Sequence, residues 1–182
     1  GDVGDPEVIY NNGKYYMFVE LAIRQGSKLD IPGKTAKIAN AARVMLLESK
    51  DLINWTRFTE RGVITNIPID PEYLWFHHPE AIYAPGDPDG KPWWLYVCVN
   101  FKDQHFGHIR MRSSTPYGFD ASKYEPVYGF AQLGNQVGYI KNVRFSDGKA
   151  GYLYVRITFI INNEGRYIPS LIFSRDGLNW IW

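Results

Sequence analysis

Apolar and polar positions along the chain repeat a pattern of two short strands joined by a turn. The pattern occurs in "DPEVIYNNGKYYMFVE" (5–20), in "HPEAIYAPGDPDGKPWWLYVCVN" (78–100) and, more loosely, in "KNVRFSDGKAGYLYVRITF" (141–159). The turn of each copy contains a glycine, and the strand after it is rich in aromatic and branched residues, which suit a pleated sheet. The pattern therefore predicts three β-hairpins.

A third strand follows each hairpin, and in two of the three units it ends in nearly the same phrase. The phrase is "SKDLINW" at 49–55 and "SRDGLNW" at 174–180, whereas the middle unit has "SSTPYGF" at this place. In such a turn the Asp side chain accepts backbone N–H bonds, while the Trp opens a fourth strand and covers the edge of the sheet. We interpret the two phrases, called the staple turns below, as structural, and predict four strands in each unit.

Four-stranded antiparallel units repeated along a chain are the blades of a β-propeller. The pattern thus predicts one all-β domain, residues 1–182, with blades at 1–60, 61–130 and 131–182. Propellers usually have about four to eight blades. We therefore expect that further residues or a partner complete the propeller, or that the chain self-associates. The polar segment 21–42 interrupts the first blade, and its length predicts a functional or disordered loop.

Composition and charge narrow the class of ligand. The 182 residues contain 20 basic and 19 acidic side chains, a net charge of +1, so no nucleic acid or anionic membrane is expected as a partner. No run approaches the ~18 apolar residues of a membrane span. Cys98 has apolar neighbours in "WWLYVCVNF" and is predicted to be a small core residue. The expected ligand is close to neutral.

The first blade carries the phrases "GDPEVIYNNGKYYMFVE" and "ESKDLINW", and the second carries "HHPEAIYAPG" and "KPWWLYVCVN". These phrases resemble the first and second blades of the five-bladed propeller glycosidases, especially glycoside hydrolase family 43. The resemblance implies an inverting hydrolase acting on plant or host glycans such as arabinosides and xylosides. It also implies a carbohydrate ligand, no cofactor, and an extracellular or periplasmic location after removal of a signal peptide.

The resemblance assigns a role to Asp5, because the family's general base is an Asp before a Pro in the innermost strand of the first blade. An inverting glycosidase needs a second carboxyl group about 6.5–9.5 Å away to protonate the leaving oxygen. The family takes a supporting Asp from the third blade and the acid, a Glu, from the fourth. Here the third-blade position falls near Lys141 and Asn142 and offers no Asp, and the fourth blade is not in these 182 residues.

Further candidates for sugar binding surround the second copy of the motif. His78 is in register with Asp5 and is predicted to reach the same funnel, whereas His77, its neighbour on the strand, faces the other side. Glu80 aligns with Glu7, which favours a role in opening the strand over that of an acid. The predicted substrate-binding residues are Trp75, Phe76, His77, His78, Glu80 and Asn142. No metal site is predicted.

Each candidate also has a structural interpretation. Asp5 could cap a turn before Pro6, since Asp and Pro are both turn formers. Trp75 and Phe76 could fill a blade interface instead of stacking on sugar rings. If the scaffold is kept without the acid, the alternative function is a non-catalytic propeller that binds a glycan or another protein.

Overall fold

The computed structural model of the protein describes residues 2–23, 41–57, 73–101, 106–129, 145–146, 152–161, 164 and 166–181. These residues are mostly β-strand, with a short 3-10 helix at Ala121–Lys123. No helix in this part of the chain has the length and apolar character needed to cross a membrane.

The first sheet has four antiparallel strands, in the order β1 (Asp2–Asn11), β2 (Lys14–Ile23), β3 (Ala41–Ser49) and β4 (Thr56–Arg57). Asn12 and Gly13 join β1 to β2, and both have positive φ angles, 48° and 78°. A two-residue hairpin needs this backbone, and Asn-Gly adopts it readily. Strand β2 continues to Ile23 and β3 begins at Ala41. The predicted loop at 21–42 was therefore too long at both ends, and residues 24–40 lie outside the described part.

The second sheet repeats the arrangement with β5 (Tyr73–Tyr83), β6 (Trp93–Phe101), β7 (Phe106–Ser113) and β8 (Glu125–Val127). Its hairpin turn contains Gly90, which has a φ of 68°. A parallel bridge between Ala42 of β3 and Trp75 of β5 links this sheet to the first one.

The third sheet contains β9 (Phe145–Ser146), β10 (Tyr152–Ile161) and β11 (Tyr167–Ser174), in the spatial order β11-β10-β9. On the other side of β11, Ile181 forms an antiparallel bridge with Phe173, at the place where a fourth strand would lie. The predicted fold of four-stranded antiparallel blades is thereby confirmed. The blade boundaries stay predictions, because residues 58–72 and 130–144 lie outside the described ranges.

Strand β6 lies at the centre of the packing and is buried on both faces. Leu95, Val97 and Val99 point towards a cluster that includes Phe18 and Leu46 of the first sheet. The alternate residues Trp94 and Tyr96 pack instead with Ile172 and Trp180 of the third unit. Because successive side chains of a strand point to opposite faces, a strand with sheets on both sides is apolar throughout. Cys98 is 3% exposed, which confirms its predicted place in the core.

Both staple turns have the predicted hydrogen bonds. In each of them, one carboxylate oxygen of the Asp accepts two backbone N–H groups at 2.8–2.9 Å, from Ile53 and Asn54 for Asp51 and from Leu178 and Asn179 for Asp176. The Ser two residues before the Asp also donates its hydroxyl to the carboxylate, at 3.0 Å in the first turn and 2.9 Å in the second. The repeated phrase is therefore a structural motif.

The second staple turn also holds the third unit against the second sheet. The Tyr96 hydroxyl donates to the carbonyl of Gly177 at 2.7 Å, and Nη1 of Arg110 donates to the carbonyl of Asp176 at 2.7 Å. Arg110 is 4% exposed, stacks over the ring of Trp94 at 4.2 Å, and pairs through Nε with Glu125 at 3.0 Å. A buried guanidinium held by all of these partners positions the turn more rigidly than an aliphatic contact alone.

Candidate functional site

The motifs Asp5-Pro6-Glu7 and His78-Pro79-Glu80 form matching bulges in β1 and β5. Pairing of β1 with β2 shifts between Gly4 and Glu7, and pairing of β5 with β6 shifts between His77 and Glu80. Proline contributes to each bulge because it has no N–H to donate to the ladder. We predicted that the inner strands begin at Asp5 and His78; they begin earlier, at Asp2 and Tyr73, and the bulge lies within each strand.

Asp5 and His78 share an unusual backbone conformation. Each has a φ of 47°, in the left-handed region that non-glycine residues rarely adopt. This conformation costs about 1–2 kcal/mol per residue, although Asp and His are among the side chains that adopt it most often. Strained backbone of this kind persists where the surrounding structure holds it and is frequent at functional sites. The two bulges therefore make this end of the sheets the candidate site.

The two side chains meet across the sheets. Nδ1 of His78 lies 2.9 Å from Oδ2 of Asp5, the length of a charge-assisted hydrogen bond. The side chains are 46% and 31% exposed, respectively, so a ligand can reach both of them. The sequence placed these residues in register, and the structure brings them into contact.

Glu20 joins the pair from the far half of β2. Its Oε2 accepts the backbone N–H of His78 at 3.2 Å. One donor or acceptor atom from each of Asp5, Glu20 and His78 lies within 4.8 Å of the other two, a spacing at which a metal ion could be held. Exposed acidic groups commonly have this spacing without an ion. The cluster is therefore a polar site with two carboxylates and one imidazole.

Glu20 is the residue that the sequence analysis missed. It pairs with Gly4, immediately before the first bulge, and its counterpart in the second hairpin is Cys98, which pairs with His77. An acidic residue thus occupies a strand position that is apolar and buried in the other copy. Superposing the two repeats residue by residue would have detected this difference.

The remaining candidates have different surroundings. Glu80 is 4% exposed and pairs with Tyr96, so its side chain belongs to the interior of the second sheet. Three others lie within β5 and pair with Asn100, Val99 and Cys98, respectively: Trp75, Phe76 and His77. The sequence predicted His77 on the strand, as observed, but placed Trp75 and Phe76 just upstream of it. Asn142 lies outside the described residues. Their roles in sugar binding stay predictions.

The chain matches no protein-family model and no curated protein. Solved structures do match it across nearly its whole length. It is similar to beta-1,2-mannobiose phosphorylase from Listeria innocua, with 14% sequence identity, a TM-score of 0.61, and coverage of 98% of this chain and 43% of that chain. It is also similar to Zg3597, a family 117 glycoside hydrolase from Zobellia galactanivorans, with 19% identity, a TM-score of 0.58, and coverage of 98% and 45%.

A third similar structure is CoXyl43, a GH43 beta-xylosidase/alpha-arabinofuranosidase from a compost microbial metagenome. It has 19% identity and a TM-score of 0.58, and the match covers 99% of this chain and 57% of that chain. At these identities the likeness shows the fold. The chain therefore has the fold of part of a β-propeller, and it spans 43–57% of the length of these three structures.

Proposed function

We propose that this chain is part of an inverting glycoside hydrolase in which Asp5 is the general base. The substrate class that we propose is a plant or host glycan with arabinosyl or xylosyl linkages. In the reaction, Asp5 takes a proton from water as the water attacks the anomeric carbon. A carboxylic acid on the other side of the sugar protonates the leaving oxygen.

One observation carries the proposal: Asp5 meets His78 at 2.9 Å, although the two residues belong to different sheets. The inner strands of two blades thus direct polar side chains to one accessible place, which is what a sugar-binding funnel requires. Asp5 is bonded to a distant side chain, which is not expected of a residue whose role is to cap the turn before Pro6. The likeness of the fold to propeller glycosidases agrees with this interpretation.

The general acid is the part of the mechanism that these residues do not supply. Carboxylate oxygens of Glu20 and Asp5 lie within 4.8 Å of each other, too close for an inverting pair, which needs about 6.5–9.5 Å for the attacking water. Glu80 is buried. These two facts favour the second candidate function, a propeller that binds a glycan or protein without cleaving it, if no other residue of the complete protein supplies the acid.

The test is substitution of Asp5 in the full-length gene product. Asp5→Asn should lower kcat by about 10²–10⁴-fold, because an amide cannot take a proton from water, while sugar affinity is retained because the side chain keeps its shape. The assay uses aryl arabinofuranosides, xylosides and galactosides, with binding measured by calorimetry. Asp120→Asn is the matched control, since Asp120 caps the 3-10 helix and Asn also serves as a cap.

Three outcomes are informative. Loss of turnover in Asp5→Asn alone supports the proposal. Turnover that survives this substitution shows that Asp5 is not the base. A glycan that binds without being cleaved establishes the binding function instead.

A further inference from the structure

The contact between Asp5 and His78 involves one particular oxygen of the Asp5 carboxylate, and sugar binding alone does not require this. The 2.9 Å distance fits a hydrogen bond in which Nδ1–H of His78 donates to Oδ2 of Asp5, because an ionised carboxylate can only accept. This bond uses one lone pair of Oδ2, which favours Oδ1 as the oxygen that accepts a proton from the attacking water. A base acts well only when the correct lone pair faces the water, so the hydrogen bond selects the oxygen that reacts.

His78 is in turn fixed by its backbone. It lies in a bulge with a φ of 47°, and Glu20 accepts its backbone N–H at 3.2 Å. The acceptor comes from the first sheet and the donor from the second. Glu20 therefore ties the two sheets together at the point where the imidazole must be aligned.

We infer that His78 is a positioning residue for Asp5, and that Glu20 holds His78 in place. The inference rests on the proposed function and adds two residues to it. His78 acts through the Asp5 carboxylate, so its loss should lower kcat and leave sugar affinity unchanged. Loss of a residue that bound the sugar directly would instead weaken sugar affinity and leave kcat unchanged.

Two variants of His78 separate these roles. His78→Asn places an amide N–H near the position of Nδ1, and Asn tolerates positive φ. His78→Ala removes the donor. We expect His78→Ala to lower kcat by about 10- to 100-fold, the cost of a misaligned group, and His78→Asn to stay within a few-fold of the wild type. The dissociation constant for the sugar, measured by calorimetry, should be unchanged in both.

Two variants of Glu20 test its role in the same way. Glu20→Gln keeps an oxygen that accepts the His78 N–H, whereas Glu20→Ala does not. We expect Glu20→Ala to lower kcat in the same direction as His78→Ala, and Glu20→Gln to retain it. Thermal unfolding of all four variants is followed in parallel, so that a loss of folded protein is not counted as a loss of kcat.

Side-chain ¹⁵N NMR of the histidines measures the contact without any substrate. His78 should carry its proton on Nδ1, and its resonance should shift in Asp5→Ala. A proton on Nε2 alone would overturn the inference, even in a protein that cleaves no sugar. The His78 signal is assigned by its disappearance in His78→Asn.

The other outcomes distinguish the inference from the function on which it rests. If Asp5→Asn abolishes turnover but His78→Ala does not, the inference is wrong and the proposed function stands. A weaker sugar affinity with unchanged kcat in His78→Ala makes His78 a sugar ligand. Metal analysis completes the set: one equivalent of a divalent ion in the wild type and none in His78→Ala would make the cluster a metal site, contrary to the inference.

Discussion

Asp176 shows how one carboxylate stabilises a turn. Burial raises the pKa of the Asp176 carboxyl, but hydrogen bonds from the backbone and side chain of Asn179 and from the N–H of Leu178 outweigh this effect. The pKa falls from the ordinary 3.8 to about 2. Because the folded state holds the ionised form, the stabilisation is complete above pH 4 and is lost as the pH falls towards 2.

Asp176→Ala should therefore lower the free energy of unfolding by about 1 kcal/mol at neutral pH, as expected for loss of a capping carboxylate. The difference from the wild type should shrink between pH 4 and pH 2, because the unfolded chain takes up a proton at Asp176 below the ordinary pKa of 3.8, whereas the folded protein keeps the carboxylate ionised until about pH 2. Urea denaturation at a series of pH values measures both quantities. Asp176→Asn is the control, since it keeps an acceptor oxygen that does not titrate. A deficit for Asp176→Ala that is the same at all pH values would contradict the assignment.

At the scale of elements, the second staple turn depends on a close approach to the second sheet. A Cβ added at Gly177 would lie 2.5 Å from the Tyr96 hydroxyl oxygen and 2.6 Å from a ring carbon of Trp94. The φ of Gly177 is also positive, at 72°. Leu52 occupies the same place in the first staple turn, with a φ of 64°, and is 49% exposed. Only the second copy of the turn therefore requires a residue without a side chain.

Gly177→Ala should lower the free energy of unfolding by about 3 kcal/mol, the sum of overpacking and backbone strain. Gly13→Ala is the matched control, because Gly13 has a φ of 78° but no atom within 4 Å of the added Cβ. It should cost about 1 kcal/mol from strain alone. Chemical denaturation of the two variants gives the comparison. Equal losses would show that the turn does not pack tightly against the sheet.

The elements also show which features a sequence can predict. Hairpins and staple turns were predicted because their causes are local: Asn-Gly sets the first turn, and an Asp bonds to backbone groups two and three residues away. The meeting of Asp5 with His78 followed from the repeat, since equivalent positions of neighbouring blades converge. The contact of Glu20 with His78 could not be predicted from the repeat. It joins residues 58 positions apart, and the equivalent position of the second hairpin has no acidic residue.

The starts of the two inner strands are the other feature that the sequence does not give correctly. The resemblance and the repeat predict that these strands begin at Asp5 and His78, whereas they begin at Asp2 and Tyr73 and contain a bulge at each of these residues. Pairing continues on both sides of each proline, since Gly4 pairs with Glu20 and His77 with Cys98. Whether a proline begins a strand or interrupts one is decided by the neighbouring strand, which local sequence does not specify.

At the scale of the whole molecule, apolar side chains remain exposed at the third sheet. Ile168, Leu171 and Ile181 are 42%, 52% and 68% exposed, and Tyr128, which bridges to Asn179, is 59% exposed. In a propeller, the faces of such sheets pack against neighbouring blades. Residues of this kind on a soluble surface favour association when they form a contiguous patch.

We therefore expect residues 1–182, produced on their own, to self-associate. Light scattering should give an apparent mass that rises with protein concentration, and the double substitution Leu171→Ser and Ile181→Ser should reduce the rise. Ile53→Ser is the matched control, since Ile53 is 80% exposed at the first staple turn, away from the third sheet. A monodisperse monomer at all concentrations would show that the exposed side chains do not form an interface.

The paired bulges have a consequence for how such proteins diverge. Both blades have a bulge with a positive φ before a proline, and they differ in the side chain that precedes this proline. Aspartate and histidine codons differ at the first base alone, so a point mutation exchanges one for the other, and both residues tolerate the conformation required there. A lineage can therefore pass from carboxylate to imidazole at this bulge in one step.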